Sequence, residues 1–333
     1  MRSWFVTTIG DPEEALKIRE IKRTVPSKGE VVIQVKAFGL NFFDILQCQG
    51  KYQEKPALPF IPGAEVAGVI DEVGEGVSLS VGQRVLALPL LPNGGFTDEV
   101  VVKEEDVFPI ADELSYEEAA AMFITYHTAY YALHAKACLQ PHETLLVHAG
   151  SGGVGSAAIQ IGKALGAKVI ATAGSAEKLE ICKQLGADVV INYREEDFSQ
   201  RVKKETDGLG ADVTFDPVGG NVFHLSRKCI AFDGRLLIIG FAGGTIPEAP
   251  MNHALIKNYS LVGVHFGYFR KLFPEKVKAA HDELMELYKA KKIKPLIYQR
   301  YSFEEVPDAL NQLGSRETWG KLVVMTHKEG IHD

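Results

Sequence analysis

The chain has 333 residues, more than one hydrophobic core usually serves, so two domains are expected. Its 46% hydrophobic and 24% charged content is that of a soluble globular protein, and a net charge of -7 argues against a nucleic-acid surface. No apolar run approaches the roughly 18 residues of a membrane span, Met1-Arg2-Ser3-Trp4 lacks the h-region so that no secretory signal is expected, and four dispersed cysteines fit reduced thiols in the cytoplasm.

From Trp4 to about Val102 the pattern is β-rich. Val31 to Ala37 begins apolar and then alternates, as a strand does. Asn41 to Gln49 suits a short helix with Asn41 as cap and Gly50 as stop. Further strands are read at Glu65–Ile70, Val81–Ala87 and Phe96–Val102, with Gly and Pro between them, which suggests a compact, partly closed β domain. Ser115 with Glu118 has the form of a capping box, and the helix or helices that follow are expected over Ala119 to Leu133.

Leu145-Leu146-Val147 then reads as a strand buried on both faces, and His148 to Gly155 follows as a glycine loop. Val154, Ala157, Ala158, Ile161 and Leu165 recur at helical spacing up to Gly166, and Lys168 to Thr172 is a second strand. Gly150, Gly152 and Gly155 fit G-x-G-x-x-G inside a βαβ unit. That arrangement lets backbone N–H groups meet a pyrophosphate at a helix N-terminus. Strands at 145–149, 168–172, 189–192, 213–216, 235–239 and 261–266 predict a doubly wound parallel α/β sheet.

Pro274 opens a helix to about Lys291, Ser302 with Glu305 offers a second capping box before a helix ending at Gly314, and Lys321 to Met325 closes the chain as a strand. Having no sheet of its own, this tail is expected to fold back on the N-terminal domain and leave a cleft. The expected division is 1–122 with 268–333 as one domain and 123–267 as the other. The polar residues 328–333 are expected to fray.

Where a NAD-type Rossmann strand ends in an acid for the ribose 2′-OH, this chain has Ala173-Gly174-Ser175, with Lys178 one turn on and Tyr193 after the third strand. The neutral end favours NADP, although Lys178 by itself also reads as a solvated helix lysine. No cysteine lies between Cys48 and Cys138, which excludes a cysteine-rich zinc lobe; the expectation is no metal. His127, His148 and His265 are acid–base candidates or packed residues. Tyr52, Tyr126, Tyr130 and Phe266 are flat walls for a planar substrate or simply core.

Asn41-Phe42-Phe43-Asp44, Gly50-Lys51-Tyr52, Leu58 to Gly63, the Ala149–Gly155 loop and Ile191-Asn192-Tyr193 together resemble the zinc-free quinone oxidoreductases of the medium-chain dehydrogenase/reductase superfamily. The resemblance runs from Trp4 to about Met325. It implies a GroES-like catalytic domain, a Rossmann domain, NADPH and a homodimer. In zinc-containing relatives a Gly-His-Glu supplies a metal ligand; here Gly63-Ala64-Glu65 has alanine in that place. By resemblance, Asn41 and Thr128 approach the nicotinamide, while Asp44 and Tyr52 line the substrate side. In the same way Ser151, Gly152, Gly153, Val154 and Gly155 hold the pyrophosphate, Gly174, Ser175, Lys178 and Tyr193 receive the 2′-phosphate, and Gly240-Phe241 and Arg316 lie along the cofactor. Cys48 departs from the arginine of many relatives. The implied reaction is hydride transfer from NADPH to a quinone or α,β-unsaturated carbonyl. The alternatives are an enoyl-thioester (acyl-CoA) reductase, with Lys51, Lys55, Arg270 and Lys271 for the CoA phosphates, and a non-catalytic NADPH-binding protein.

Overall fold

The computed structural model describes residues 1–327, so the expected fraying of 328–333 lies outside the described residues. The chain forms two compact units, Met1–Ile124 with the chain from Pro295 onward, and Thr125–Lys294.

In the first unit the long strand Glu30–Gly39 is the hub, because its inward residues Val31, Ile33, Val35 and Phe38 are fully buried. It pairs antiparallel with Val66–Val73, Glu99–Lys103 and Lys321–Met325. The tail strand therefore does return to the N-terminal sheet, and it brings a further strand, Ile297–Ser302, in parallel beside it. Seven strands make this mixed sheet, and Arg2–Val6 with Leu16–Glu20 forms a separate hairpin. Phe38 stacks on Phe96 at 4.8 Å between ring centroids, in the core that also holds Phe303 and Val324. Asn41 caps the helix Phe42–Cys48, and Gly50 ends it at a left-handed φ of 65°.

The second unit is a six-stranded parallel sheet in which the strands, counted along the chain, lie in the order 3-2-1-4-5-6. They are Thr144–Val147, Lys168–Ala173, Val189–Asn192, Ala211–Asp216, Ile230–Ile238 and Ser260–Gly263. This is the doubly wound order, and its chain reversal lies between the first and fourth strands, where ligands of such sheets bind. Every residue of Thr144–Val147 is buried, as an apolar run covered on both faces should be.

One expectation needs correction. Pro274–Lys289 belongs to the second unit and not to the first: Glu283 on it takes a hydrogen bond from the Tyr130 hydroxyl, and His281 stacks on His127. The division consequently falls after Lys294 and not after 267. From Ala119 to Leu133, where one helix or several were expected, the chain is helical in segments whose winding differs. Tyr116–Ala120 is α-helical on its Ser115 cap, but Phe123–His127 and Tyr131–Lys136 are π-helical around the short α-turn Thr128–Tyr130. Bulky aromatics at Phe123, Tyr126, Tyr130 and Tyr131 accompany this wider winding.

Candidate functional site

In the second unit the site is built at the C-terminal edge of the parallel sheet. The Gly150 N–H donates to the Thr172 carbonyl at 2.9 Å, which ties the loop to the neighbouring strand. Ala149 turns the chain with a left-handed φ of 49°. A Cβ at Gly155 would lie 2.1 Å from the Ala149 oxygen, so only glycine allows the helix Gly153–Ala164 to start so close to the strand. At Gly152 a Cβ would meet the same oxygen at 3.3 Å, a tight contact but a far looser one than at Gly155. No side chain caps this helix. Its first N–H groups, at Gly153, Val154 and Gly155, therefore face outward as an anion cradle, with Ser151 buried behind them. This geometry fits a dinucleotide pyrophosphate.

The second strand ends at Ala173, opposite Asn192 of the third. Gly174 follows it, and a Cβ there would lie 2.7 Å from Tyr193 Oη and 3.1 Å from Arg194 Nε. Ser175 caps the helix Ala176–Gln184 by accepting from the Lys178 N–H at 3.4 Å. The structure thus brings Gly174, Ser175, Lys178 and Tyr193 together and adds Arg194, which the sequence reading did not single out. Glu177, the next acid along the chain, is exposed on the helix. Gly240 and Phe241 follow the fifth strand on the same sheet edge, where Phe241 approaches Gly219.

His148 is a structural residue and not an acid–base one. Its Nε2 lies 2.8 Å from Ser226 Oγ, and its Nδ1 lies 3.0 Å from Thr172 Oγ1. The Ser226 hydroxyl already donates to the Val222 carbonyl, so Nε2 carries the proton and Nδ1 accepts. Burial pushes this imidazole down to about 4, against a smaller upward pull from Asp216. Tyr126, 1% exposed, is core: its hydroxyl donates to the Lys294 carbonyl and accepts from Gln160. Tyr130 and Phe266 are buried likewise, whereas His265 is exposed at the start of the helix Phe266–Leu272. Thr128 is half-buried at the head of its α-turn.

The first unit holds a second, separate group of candidates. The Asn41 Nδ2 donates to Glu65 Oε1 at 2.9 Å, and its Oδ1 accepts from Lys321 Nζ at 2.7 Å. Lys321 also donates to Glu65 Oε1 and to the Leu40 carbonyl, both at 2.7 Å, while Glu65 Oε2 accepts from the Ile124 N–H at 2.9 Å. Glu65 is 1% and Lys321 5% exposed, a buried and fully partnered ion pair. The sequence reading took Lys321 only as the first residue of a strand. With an ammonium on its oxygen and a carboxylate on its nitrogen, the Asn41 carboxamide has one orientation, and one N–H is left over.

Asp44 accepts from the Asn41 backbone N–H at 2.7 Å through Oδ2, but its buried Oδ1 has no partner. Burial outweighs that hydrogen bond and the attraction of Lys321, and pushes Asp44 up to about 8, so it holds its proton at neutral pH. Tyr52, half-buried, stacks on Phe43 at 5.4 Å, and burial raises its hydroxyl above the ordinary tyrosine value. Cys48 is buried, and its thiol is pushed up to about 12, which makes it inert. Arg316 is exposed in the first unit at a left-handed φ of 62°. Among the described residues no group of three or more His, Cys, Asp or Glu side chains is placed to hold a metal ion. No helix among them is long and apolar enough to cross a membrane.

Residues 27–112 match the alcohol dehydrogenase GroES-like domain, and residues 153–285 match the zinc-binding dehydrogenase family. The chain is 42% identical over 300 residues to a quinone oxidoreductase-like protein 2 homolog of Nematostella vectensis, covering 89% of this chain and 82% of the relative. It is 34% identical over 329 residues to the quinone oxidoreductase of Homo sapiens, covering 98% of each. The crystal structure of Escherichia coli quinone oxidoreductase complexed with NADPH superimposes with a TM-score of 0.89 at 30% identity, covering 98% of this chain and 100% of that one.

Proposed function

From a chain that belongs to the quinone oxidoreductase-like family of the medium-chain dehydrogenase/reductase superfamily, we propose an enzyme that uses NADPH to reduce a quinone or an α,β-unsaturated carbonyl without a metal. The observation that carries this reading is the glycine cradle at the switch point of the sheet, followed by a strand end bearing Gly174, Tyr193 and Lys178 in place of an acid. NADPH supplies the hydride from its nicotinamide ring. The N–H groups of residues 153–155 hold the pyrophosphate, and Lys178 and Tyr193 hold the 2′-phosphate. Gly240, Phe241, Thr128 and Arg316 are assigned to the rest of the cofactor.

In the first unit, Asn41 is fixed on two sides and offers its remaining N–H to a carbonyl oxygen. Asp44 keeps this end of the helix uncharged, and Tyr52 and Phe43 present flat apolar surface to a planar acceptor. The metal-free reading rests on Ala64 beside Glu65, whose charge Lys321 already neutralises. A cytoplasmic homodimer is proposed with it. The buried, high-pKa thiols of Cys48, Cys182 and Cys229 suit a reducing compartment, and Met251, Leu255 and Ile256 are each more than 70% exposed on the helix Met251–Lys257, which leads to the edge strand Ser260–Gly263.

Steady-state assays test the reading with 1,4-benzoquinone, a simple enone and crotonyl-CoA, each with and without a chelator. Oxidation of NADPH by the quinone or the enone, unchanged by the chelator, is expected. Turnover with the thioester alone would make the enzyme an acyl-CoA reductase, and binding of NADPH with no turnover at all would make it a non-catalytic protein.

A further inference from the structure

We propose that Arg194 is a 2′-phosphate ligand of this chain, and that Gly174 is glycine because a side chain there would displace it. The proposal rests on the NADPH reading above and adds the residue that decides between the two nicotinamide cofactors. Three observations lead to it.

The first is register. Ala173 and Asn192 are opposite each other at the ends of adjacent parallel strands, so residues 174 and 193–194 leave the sheet side by side. Asn192 Oδ1 accepts from the Arg194 N–H at 3.1 Å, which fixes the turn that brings Arg194 round.

The second is space. An added Cβ at Gly174 would lie 2.7 Å from Tyr193 Oη and 3.1 Å from Arg194 Nε. In a NAD-binding sheet the strand end carries the acid that bonds the ribose 2′-OH. Here that position is covered by a hydroxyl and the root of a guanidinium, both of which favour an anion.

The third is charge. The Arg194 guanidinium is exposed and has no ion pair or hydrogen bond among the described residues, although Glu195 and Glu196 follow it. Glu196 pairs with Arg201 at 3.3 Å instead. A planar fork of donors left uncompensated at this strand end is suited to bidentate contact with a phosphate. Lys178, one turn into the neighbouring helix, brings a second cation to the same strand end.

The test is calorimetric binding of 2′,5′-ADP and 5′-AMP, which differ only in the 2′-phosphate, to the wild type, Arg194→Ala and Arg194→Lys. Because Arg194 is exposed, both variants should fold as the wild type does. The wild type should bind 2′,5′-ADP at least about tenfold more tightly than 5′-AMP. Arg194→Ala should lose about tenfold for 2′,5′-ADP and less than about twofold for 5′-AMP, and Arg194→Lys should recover part of the loss. A wild type that discriminates, with an Arg194→Ala variant that discriminates just as well, would overturn the role of Arg194 and leave the NADPH reading standing. A wild type that binds the two ligands alike would bring down both.

Discussion

Lys321 satisfies three acceptors at once, and without it the buried Glu65 carboxylate would keep only the N–H groups of Asn41 and Ile124. Removing one partner of a buried ion pair costs about 3–5 kcal/mol, whereas removing both is often nearly neutral. Lys321→Met should therefore destabilise the protein by that amount in urea denaturation, and Glu65→Gln in the same background should restore most of it. Equal stability of the single variant and the wild type would show that the pair does not hold the site together. Asn41 was readable in the sequence, since Asn before an apolar turn with Asp three residues on is a cap pattern. Lys321 was not. A lysine at the head of a strand ordinarily reaches solvent, and nothing local marks a partner 256 residues away. Two charges heading apolar strands, Glu65 before Val66 and Lys321 before Leu322, are the signal that a joint reading would need.

At the scale of elements, the glycine loop separates positions that serve the fold from positions that serve the ligand. Gly155→Ala drives a methyl group into the Ala149 oxygen, so it should lower the thermal midpoint by several degrees and weaken binding as a consequence. At Gly152 an added methyl group comes to 3.3 Å from the same oxygen, a contact that a small shift relieves, so Gly152→Ala should melt well above Gly155→Ala while NADPH binding falls about tenfold, measured by protein fluorescence quenching. If the two variants lost stability alike, the distinction would fail. The Rossmann strands were legible because most are short apolar runs between turn residues, although the edge strand Ser260–Gly263 has no buried residue. Leu16–Glu20 was not, since only Leu16 is buried and the strand shows no alternation. The π turns escaped for another reason: the residues from Ala119 to Leu133 are so uniformly apolar that they do not distinguish one helical winding from another.

For the whole molecule, the doubly wound half followed from the order of its elements, but the division at Lys294 did not, because an amphipathic helix such as Pro274–Lys289 does not declare which core its apolar face joins. The homodimer belongs to this scale. If the exposed side chains of residues 251–256 are buried by a second copy, Leu255→Asp with Ile256→Asp should shift the sedimentation coefficient from dimer to monomer at micromolar concentration. An unchanged coefficient would place the contact elsewhere or remove it.

The hub strand Glu30–Gly39 takes one of its neighbours from beyond the whole second unit, and biosynthesis must wait for it. On the ribosome, Glu65 emerges long before the lysine that neutralises it, and the sheet edge that Lys321–Met325 will occupy stays bare until that segment has been made. The nucleotide-binding half, encoded without interruption between, can mature while its companion waits. Nascent chains stalled before Lys321 would then carry a finished second unit and an unfinished first one, exposed to chaperones and proteases for the length of that delay.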